Sequence, residues 1–428
     1  MKTTVKNLSD TKVQLTIALG AEELAAAEQV ALTKLARDLK VPGFRKGKVP
    51  VSVAAKHVDP NALQEQVLEN AISKAVAEAF MNEKLQALDR PAVEVKKFVP
   101  GQELEFTAES AIVPPVKLGN YKKLKAKQAE VKVEAKDVDD IIERMRQNFA
   151  EKTEVKRAAK DGDEVIIDFV GKKDDVAFDG GMAKDFNLTL GSGQFIPGFE
   201  EGVVGHKAGE EFDLDLAFPK DYHAKELAGA KVVFSVTLKK VQERVLPEVN
   251  DEFAAKCGPF TDVKELKADI KREVTAQKER EAAEQLKDEL VNELAEGSKV
   301  ALPEILVEDQ VQSIERDLLQ NLMYRGLSQE QYFESQGFKD KDEWVAKEAR
   351  PVAEKRVKAG LVLAELSKEL GVEVSHEEVS AQIDVMKQQY GKDAKMAAQF
   401  DNPEVHRNIA NRMITEKTVE KLVELNSK

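Results

Sequence analysis

Apolar and polar positions change period several times along the chain, and each change marks an element. Thr3 to Leu19 alternates, with Val13, Leu15, Ile17 and Leu19 on one side, as in a half-buried strand hairpin. From Ala21 to Lys40 the spacing turns helical (Leu24, Ala27, Ala31, Leu35, Leu39). Asn61 to Leu88 repeats it through Leu63, Val67, Leu68, Ile72, Ala75, Val76 and Phe80. Strand patterns return at Val93 to Val95 and Leu104 to Ala108, closing an α+β segment near Val113-Pro114-Pro115. Val116 to Val133 reads as an extended connector and Asp137 to Ala150 as an amphipathic helix (Val138, Ile141, Ile142, Met145, Phe149). Strands are expected again at 165–170, 186–190, 211–216 and 232–238, with a short helix over 198–205. Beyond Leu246-Pro247 the period is helical throughout. Segments run from Val263 to Gly297, from the Pro303 start to Gly326, from Asp342 to Leu370 with a kink or break at Pro351, from Ser375 to Tyr390, and from Pro403 to Leu425.

Composition sharpens this picture. The 428 residues suffice for two to four domains, each with its own core. Residues 151–245 hold 11 of the 23 glycines and 8 of the 18 phenylalanines, the mark of a compact, turn-rich β domain, whereas the last 183 residues hold only 7 glycines. With 33% charged and 6% aromatic residues, long solvated helices are favoured over extensive sheet. The lone Cys257 excludes an internal disulfide and fits a reducing compartment. No apolar run approaches the roughly 18 residues of a membrane span, so a soluble, cytoplasmic protein without membrane contact is expected.

Charge singles out one loop. The formal net charge is -13, yet between Asp38 and Asp59 every charged residue is basic: Lys40, Arg45, Lys46, Lys48 and Lys56. Pro42 and Pro50 bracket the stretch and Gly43 and Gly47 free its backbone, so between its two helical segments it reads either as a projecting docking element for an anionic partner or as an ordinary solvated basic loop with Phe44 tucked back into the core. The string Gly43-Phe44-Arg45-Lys46-Gly47-Lys48-Val49-Pro50 resembles the ribosome-docking signature of the trigger factor family, bacterial ribosome-associated chaperones. That resemblance implies ribosome binding through Gly43, Phe44, Arg45, Lys46, Gly47 and Lys48, on the large subunit near the polypeptide exit tunnel.

The glycine-rich domain carries a second resemblance, to the FK506-binding-protein (FKBP) type of peptidyl-prolyl isomerase. It rests on Ile167-Asp168-Phe169-Val170-Gly171, Phe178-Asp179-Gly180, Gln194-Phe195-Ile196-Pro197-Gly198-Phe199-Glu200-Glu201-Gly202, Tyr222 and Phe234. Carried over position by position, the pocket is lined by Phe169, Phe178, Asp179, Phe186, Phe195, Ile196, Phe199, Tyr222 and Phe234. The floor position, often Trp in that family, is Phe199 here. Rotating an X-Pro bond sacrifices amide resonance against roughly 18–20 kcal/mol and needs no nucleophile. A dry aromatic pocket disfavours the planar, charge-separated amide relative to the twisted one.

Other chemistry finds no motif. The five histidines are scattered without metal-ligand spacing, and no Walker-type phosphate loop occurs. Gly191-Ser192-Gly193 lacks the strand-to-helix context of a dinucleotide site. Neither metal, cofactor nor ATP is therefore expected. In the helical region, apolar stripes left unburied would hold unfolded chains; the candidates are Leu318, Leu322, Met323, Tyr324, Tyr332, Phe333 and Trp344.

Together the residues and both resemblances imply a multidomain α+β protein. Residues 1–113 form an α+β docking domain, 114–150 a linker and helix joining to the C-terminal body, 151–245 an FKBP-like antiparallel sheet or half-barrel with a short helix, and 246–428 an all-α domain with extended helical arms. The implied function is an ATP-independent, ribosome-associated chaperone that binds nascent and unfolded polypeptides and isomerises X-Pro bonds. Homodimerisation away from the ribosome stays open. So do two rivals: an FKBP-type isomerase recruited to folded substrates without ribosome docking, and an RNA-binding protein using the basic loop.

Overall fold

The computed structural model describes residues 1–39, 41–42, 44–45, 49–174, 176–219, 222, 227–389 and 399–427. They divide into two compact units, residues 1–127 with 285–428, and residues 128–284.

In the first unit, the alternating stretches become a four-stranded antiparallel sheet. Strands β1 (Lys2–Ser9), β2 (Lys12–Leu19), β3 (Ala92–Val99) and β4 (Glu103–Ala111) lie in the order β1-β2-β4-β3. Val13, Leu15 and Ile17 of β2 and Leu104, Phe106 and Ala108 of β4 are fully buried. They meet helices α1 (Ala21–Asp38) and α3 (Pro60–Asn82), which contribute Leu24, Ala27, Ala31, Ala71, Ala75 and Phe80 to the same core. Each large side chain buried this way stabilises the fold by about 1.5–3 kcal/mol. Helix α3 starts cleanly because Asp59 accepts the N–H groups of Asn61 and Ala62, with Pro60 in the first turn.

Between α1 and α3, a short helix α2 (Val51–Ala54) follows the basic loop. The shoulders of the loop are pinned: Val41 and Val49 pack with Ala36 and Ala54 in a small cluster. Phe44 stands 43% exposed instead of tucking back, and Arg45 is exposed. Gly43, Lys46, Gly47 and Lys48 lie outside the described residues.

The rest of this unit is helical: the latter part of α7 (Val263–Gly297), then α8 (Glu304–Arg325), α9 (Gln329–Ser335), α10 (Lys341–Trp344), a π-helical turn (Val345–Ala349), α11 (Arg350–Glu369), α12 (His376–Gln389) and α13 (Pro403–Asn426). Pro351 does not break the helix outright. It sits in the first turn of α11, and the π turn immediately before it widens the backbone where a proline ring would clash with the preceding turn. Gly326, at φ +66, closes α8 in the left-handed conformation.

The extended connector has a packed role. Val116, Leu118, Tyr121 and Leu124 lie against Leu290 and Leu294 of α7, Leu366 of α11 and Leu422 of α13. Its backbone is held by side chains of the helices. Ser298 Oγ accepts the Gly119 N–H at 2.9 Å, the Glu293 carboxylate accepts those of Lys125 and Ala126, and Asn426 Oδ1 accepts that of Leu124 at 3.0 Å.

The second unit contains the glycine-rich domain. Strands β5 (Glu151–Glu154), β6 (Glu164–Lys173), β7 (Val176–Thr189) and β9 (Lys231–Val245) pair antiparallel in the order β5-β9-β6-β7, while β8 (Glu211–Ala217) pairs with β9. The short helix α5 (Phe199–Val203) packs against the core these strands form. Beside it, α4 (Ala135–Asn148), α6 (Asp251–Cys257) and the first part of α7 share a second core through Val138, Ile142, Phe253, Leu266 and Ile270. Among the described residues no helix is long and apolar enough to cross a membrane.

Candidate active site

The sheet of the second unit gathers aromatic side chains on one face because alternate residues of β6 and β9 point to it. Phe169 and Phe234 enter from those two strands, Phe178 and Phe186 from β7, and Phe195 and Ile196 from the loop leading into α5. They enclose a cavity of about 680 Å³, completed by Phe218, Pro219, Tyr222 and Leu227, with Gly180, Gly181, Gln194 and Pro197 at its margin. Among the described residues, its lining carries no charged side chain.

Phe199 lies fully buried at the base. Its ring stacks on Phe195 with centroids 4.1 Å apart, and meets Phe234 edge-on at 5.2 Å and Phe169 at 5.9 Å. Phe178 in turn meets Phe234 at 5.9 Å and perpendicular to it. Edge-to-face packing of this kind fixes ring orientation as well as burying area. The walls are close because two glycines allow it. A Cβ on Gly171 would fall 2.5 Å from the Phe178 ring, and one on Gly181 2.4 Å from it. Eight of the nine nominated pocket residues thus converge; Asp179 falls on β7, with its side chain outside the described set.

Sequence reasoning missed Phe218. It is buried, lies 5.8 Å from Phe178 and 4.5 Å from Tyr222, and forms the wall between them. The available signal was the Phe218-Pro219 pair that ends the alternation of β8.

A groove of about 740 Å³ between α1 and α3 is larger, but its floor is Ala26, Ala27, Ala71 and Ala75 under a rim of Glu22, Glu78 and Lys74. Nothing there converges as the aromatic rings do.

In the helical region the candidates divide. Met323 and Tyr324 are more than four-fifths exposed near the end of α8. Leu322, Phe333 and Trp344 are buried, and Leu318 and Tyr332 are half-buried around Phe333 and Trp344. Of the seven candidates, Phe333 and Trp344 fill a small core where α9 and α10 fold over α8, and do not face solvent.

An antiparallel sheet around an aromatic pocket, with a short helix at its base, is the FKBP type of peptidyl-prolyl isomerase domain, and residues 155–239 match that family, described as FKBP-type peptidyl-prolyl cis-trans isomerase. The flanking segments go further: residues 1–145 match Bacterial trigger factor protein (TF), and residues 262–424 its C-terminus. The chain belongs to the trigger factor family, ribosome-associated chaperones with a peptidyl-prolyl isomerase domain. It is 36% identical over 410 residues to the trigger factor of Streptococcus mutans, covering 95% of each chain. To that of Halothermothrix orenii it is 35% identical over 385 residues, covering 90% of this chain and 89% of the other. To that of Clostridium tetani it is 32% identical over 432 residues, covering 99% and 100%. A solved structure titled "Promiscuous Substrate Recognition in Folding and Assembly Activities of the Trigger Factor Chaperone" shares the fold, with a TM-score of 0.52 and 21% identity over 98% of this chain and 99% of that one.

Proposed function

We propose that the isomerase reaction runs in the aromatic cavity of the second unit, on Phe169, Phe178, Asp179, Phe186, Phe195, Ile196, Phe199, Tyr222 and Phe234, with Phe218 added. The observation that carries this reading is the convergence of rings around a volume of about 680 Å³, the size of a small peptide segment, whose described lining carries no charged side chain. The planar amide has substantial charge separation and the twisted amide much less, so loss of water there costs the ground state more than the transition state. The pocket needs no acid, base or nucleophile.

The division of labour proposed along the chain is docking by 1–113, isomerisation by 151–245, and client holding by 246–428 with the 114–150 segment. Docking is to the large ribosomal subunit near the exit tunnel, through the loop from Gly43 to Lys48. Phe44, exposed between pinned shoulders, supports that reading: an aromatic held in solvent beside Arg45 is placed to anchor in a partner. Nascent chains are held in part by Met323 and Tyr324, and the protein works in the cytoplasm.

Two variants of the full-length protein test this. Phe199→Ala is expected to slow catalysis of proline-limited refolding and leave ribosome co-sedimentation unchanged; equal catalysis sinks the pocket assignment. Phe44→Ala with Arg45→Ala is expected to do the reverse, and undiminished co-sedimentation removes the docking role. Little affinity for protein-free RNA separates docking on a composite surface from RNA binding as such.

A further inference from the structure

Behind the cavity, a buried carboxylate holds one of its walls. Glu200 is the second residue of α5, and its side chain turns back toward the loop that precedes the helix. Oε2 accepts the Gly193 N–H at 3.1 Å, and Oε1 accepts the Phe195 N–H at 3.2 Å and the Ser192 hydroxyl at 3.3 Å. Burial pushes the pKa of Glu200 up, but the N–H groups of Gly193, Phe195, Gly191 and Gln194 more than offset this and hold it below the usual carboxylate range. The side chain is therefore ionised at neutral pH.

The loop needs that hold. Gly191 and Gly193 have φ of +86 and +69, so its backbone turns through the left-handed region twice. Gln194, Phe195, Ile196 and Pro197, which follow, line the cavity, and Phe195 lies flat on Phe199. The carboxylate touches the backbone of the wall, and the wall faces the cavity.

We propose that Glu200 is a positioning residue for prolyl isomerisation: its carboxylate gathers the N–H groups of Gly193 and Phe195 and the Ser192 hydroxyl so that Phe195 and Ile196 present one fixed wall to the substrate proline. It acts through the loop and does not touch the peptide. This deepens the pocket assignment above and rests on it.

The test uses the full-length protein, with kcat and KM measured separately on a short X-Pro peptide. Glu200→Gln keeps one acceptor oxygen but turns an amide donor toward the loop's N–H groups. Glu200→Asp keeps the charge one methylene short. The expected result for Glu200→Gln is a kcat lower by about tenfold to a hundredfold, the loss typical of roughly 1 Å of misplacement. KM changes less, because the apolar walls remain. Glu200→Asp should recover part of the rate, and the Gly193 and Phe195 amide proton resonances should move in Glu200→Gln and partly return in Glu200→Asp.

A merely structural anchor would lower Tm and leave kcat of the folded fraction at the wild-type value; that outcome overturns the proposal. Should Glu200→Gln fail to fold, Ser192→Ala decides. It removes one donor and is expected to lower kcat about twofold to fivefold, and an unchanged kcat overturns the proposal. Phe199→Ala in the same assay separates the two readings. A slow Phe199→Ala beside fully active Glu200 and Ser192 variants overturns the positioning role alone, whereas a fully active Phe199→Ala overturns the pocket itself.

Discussion

Gly119 lies so close to Gly297 that a Cβ on it would fall 2.9 Å from both the carbonyl carbon and the carbonyl oxygen of Gly297. The obstacle is backbone at the end of α7, which cannot swing aside as a side chain can. Gly119→Val should therefore lift the connector from the helices and destabilise the first unit by roughly 1–3 kcal/mol, the usual cost of overpacking. Urea unfolding followed through Trp344 fluorescence reads this out. Catalysis on a short proline peptide should stay at the wild-type rate, since the cavity lies in the other unit.

Gly181→Ala addresses the cavity from its margin. The added methyl meets the ring of Phe178, which Gly171, Phe218 and Phe234 hold from its other sides, so the ring and the wall it forms must shift. Isomerase kcat/KM is expected to fall about tenfold, with a stability cost of roughly 1–3 kcal/mol from overpacking. Unaltered catalysis would mean that the Phe178 wall is dispensable.

Trp344→Ala and Tyr324→Ser should separate packing from holding. Trp344 is buried against Phe333 with ring centroids 5.7 Å apart, and its truncation should cost about 3–5 kcal/mol. Tyr324, exposed, should tolerate serine within about 0.5 kcal/mol. Suppression of aggregation of an unfolded, proline-free client should nevertheless weaken in Tyr324→Ser, more so with Met323→Ser. No change there would exclude this patch from client holding.

Asp163 links acid sensitivity to one ion pair. Burial pushes its pKa up, but the hydrogen bonds from Arg157 and the Lys160 N–H more than offset this and leave it low. A folded pKa below the unfolded value of about 3.9 means that the stabilisation is complete above that pH and is lost as pH falls through the folded value. Asp163→Asn should lower Tm at pH 6, at a cost of roughly 1–3 kcal/mol. The gap between variant and wild type should narrow at pH 3. A gap that does not change with pH would show that the charge of Asp163 does not matter.

Much of this architecture is legible in sequence because it is periodic. The alternation of Val13, Leu15 and Ile17 and the helical spacing of Leu286, Leu290 and Leu294 report burial directly, since burial is what produces the pattern. Short elements escape. Strand β5 has four exposed residues and α6 barely two turns, too few for a period to emerge; β5 forms by pairing with β9, and α6 by packing against α4 and the start of α7. The aromatic residues of the pocket are legible through family strings, which name residues but not depth. Phe333 and Trp344 therefore look no different from surface aromatics in the sequence, although they pack down on α8, and Phe218 lies in none of the strings. Nothing in Val116 to Leu124 announces that it packs against helices formed more than 160 residues later.

That last contact sets a schedule for the protein's own folding. Leu124 and the Asn426 side chain that receives its N–H are 302 positions apart, so the segment emerges from synthesis long before its partner exists. At roughly 5–20 residues per second the wait is about 15–60 s. The two sheets pair strands whose partnered residues all lie within 100 positions of one another and can close earlier, whereas Val116, Leu118 and Leu124 meet α7 only after about 160 further residues and are fully covered only when α11 and α13 arrive. A protein of this family thus passes through its own synthesis as an incomplete chain with an apolar segment exposed.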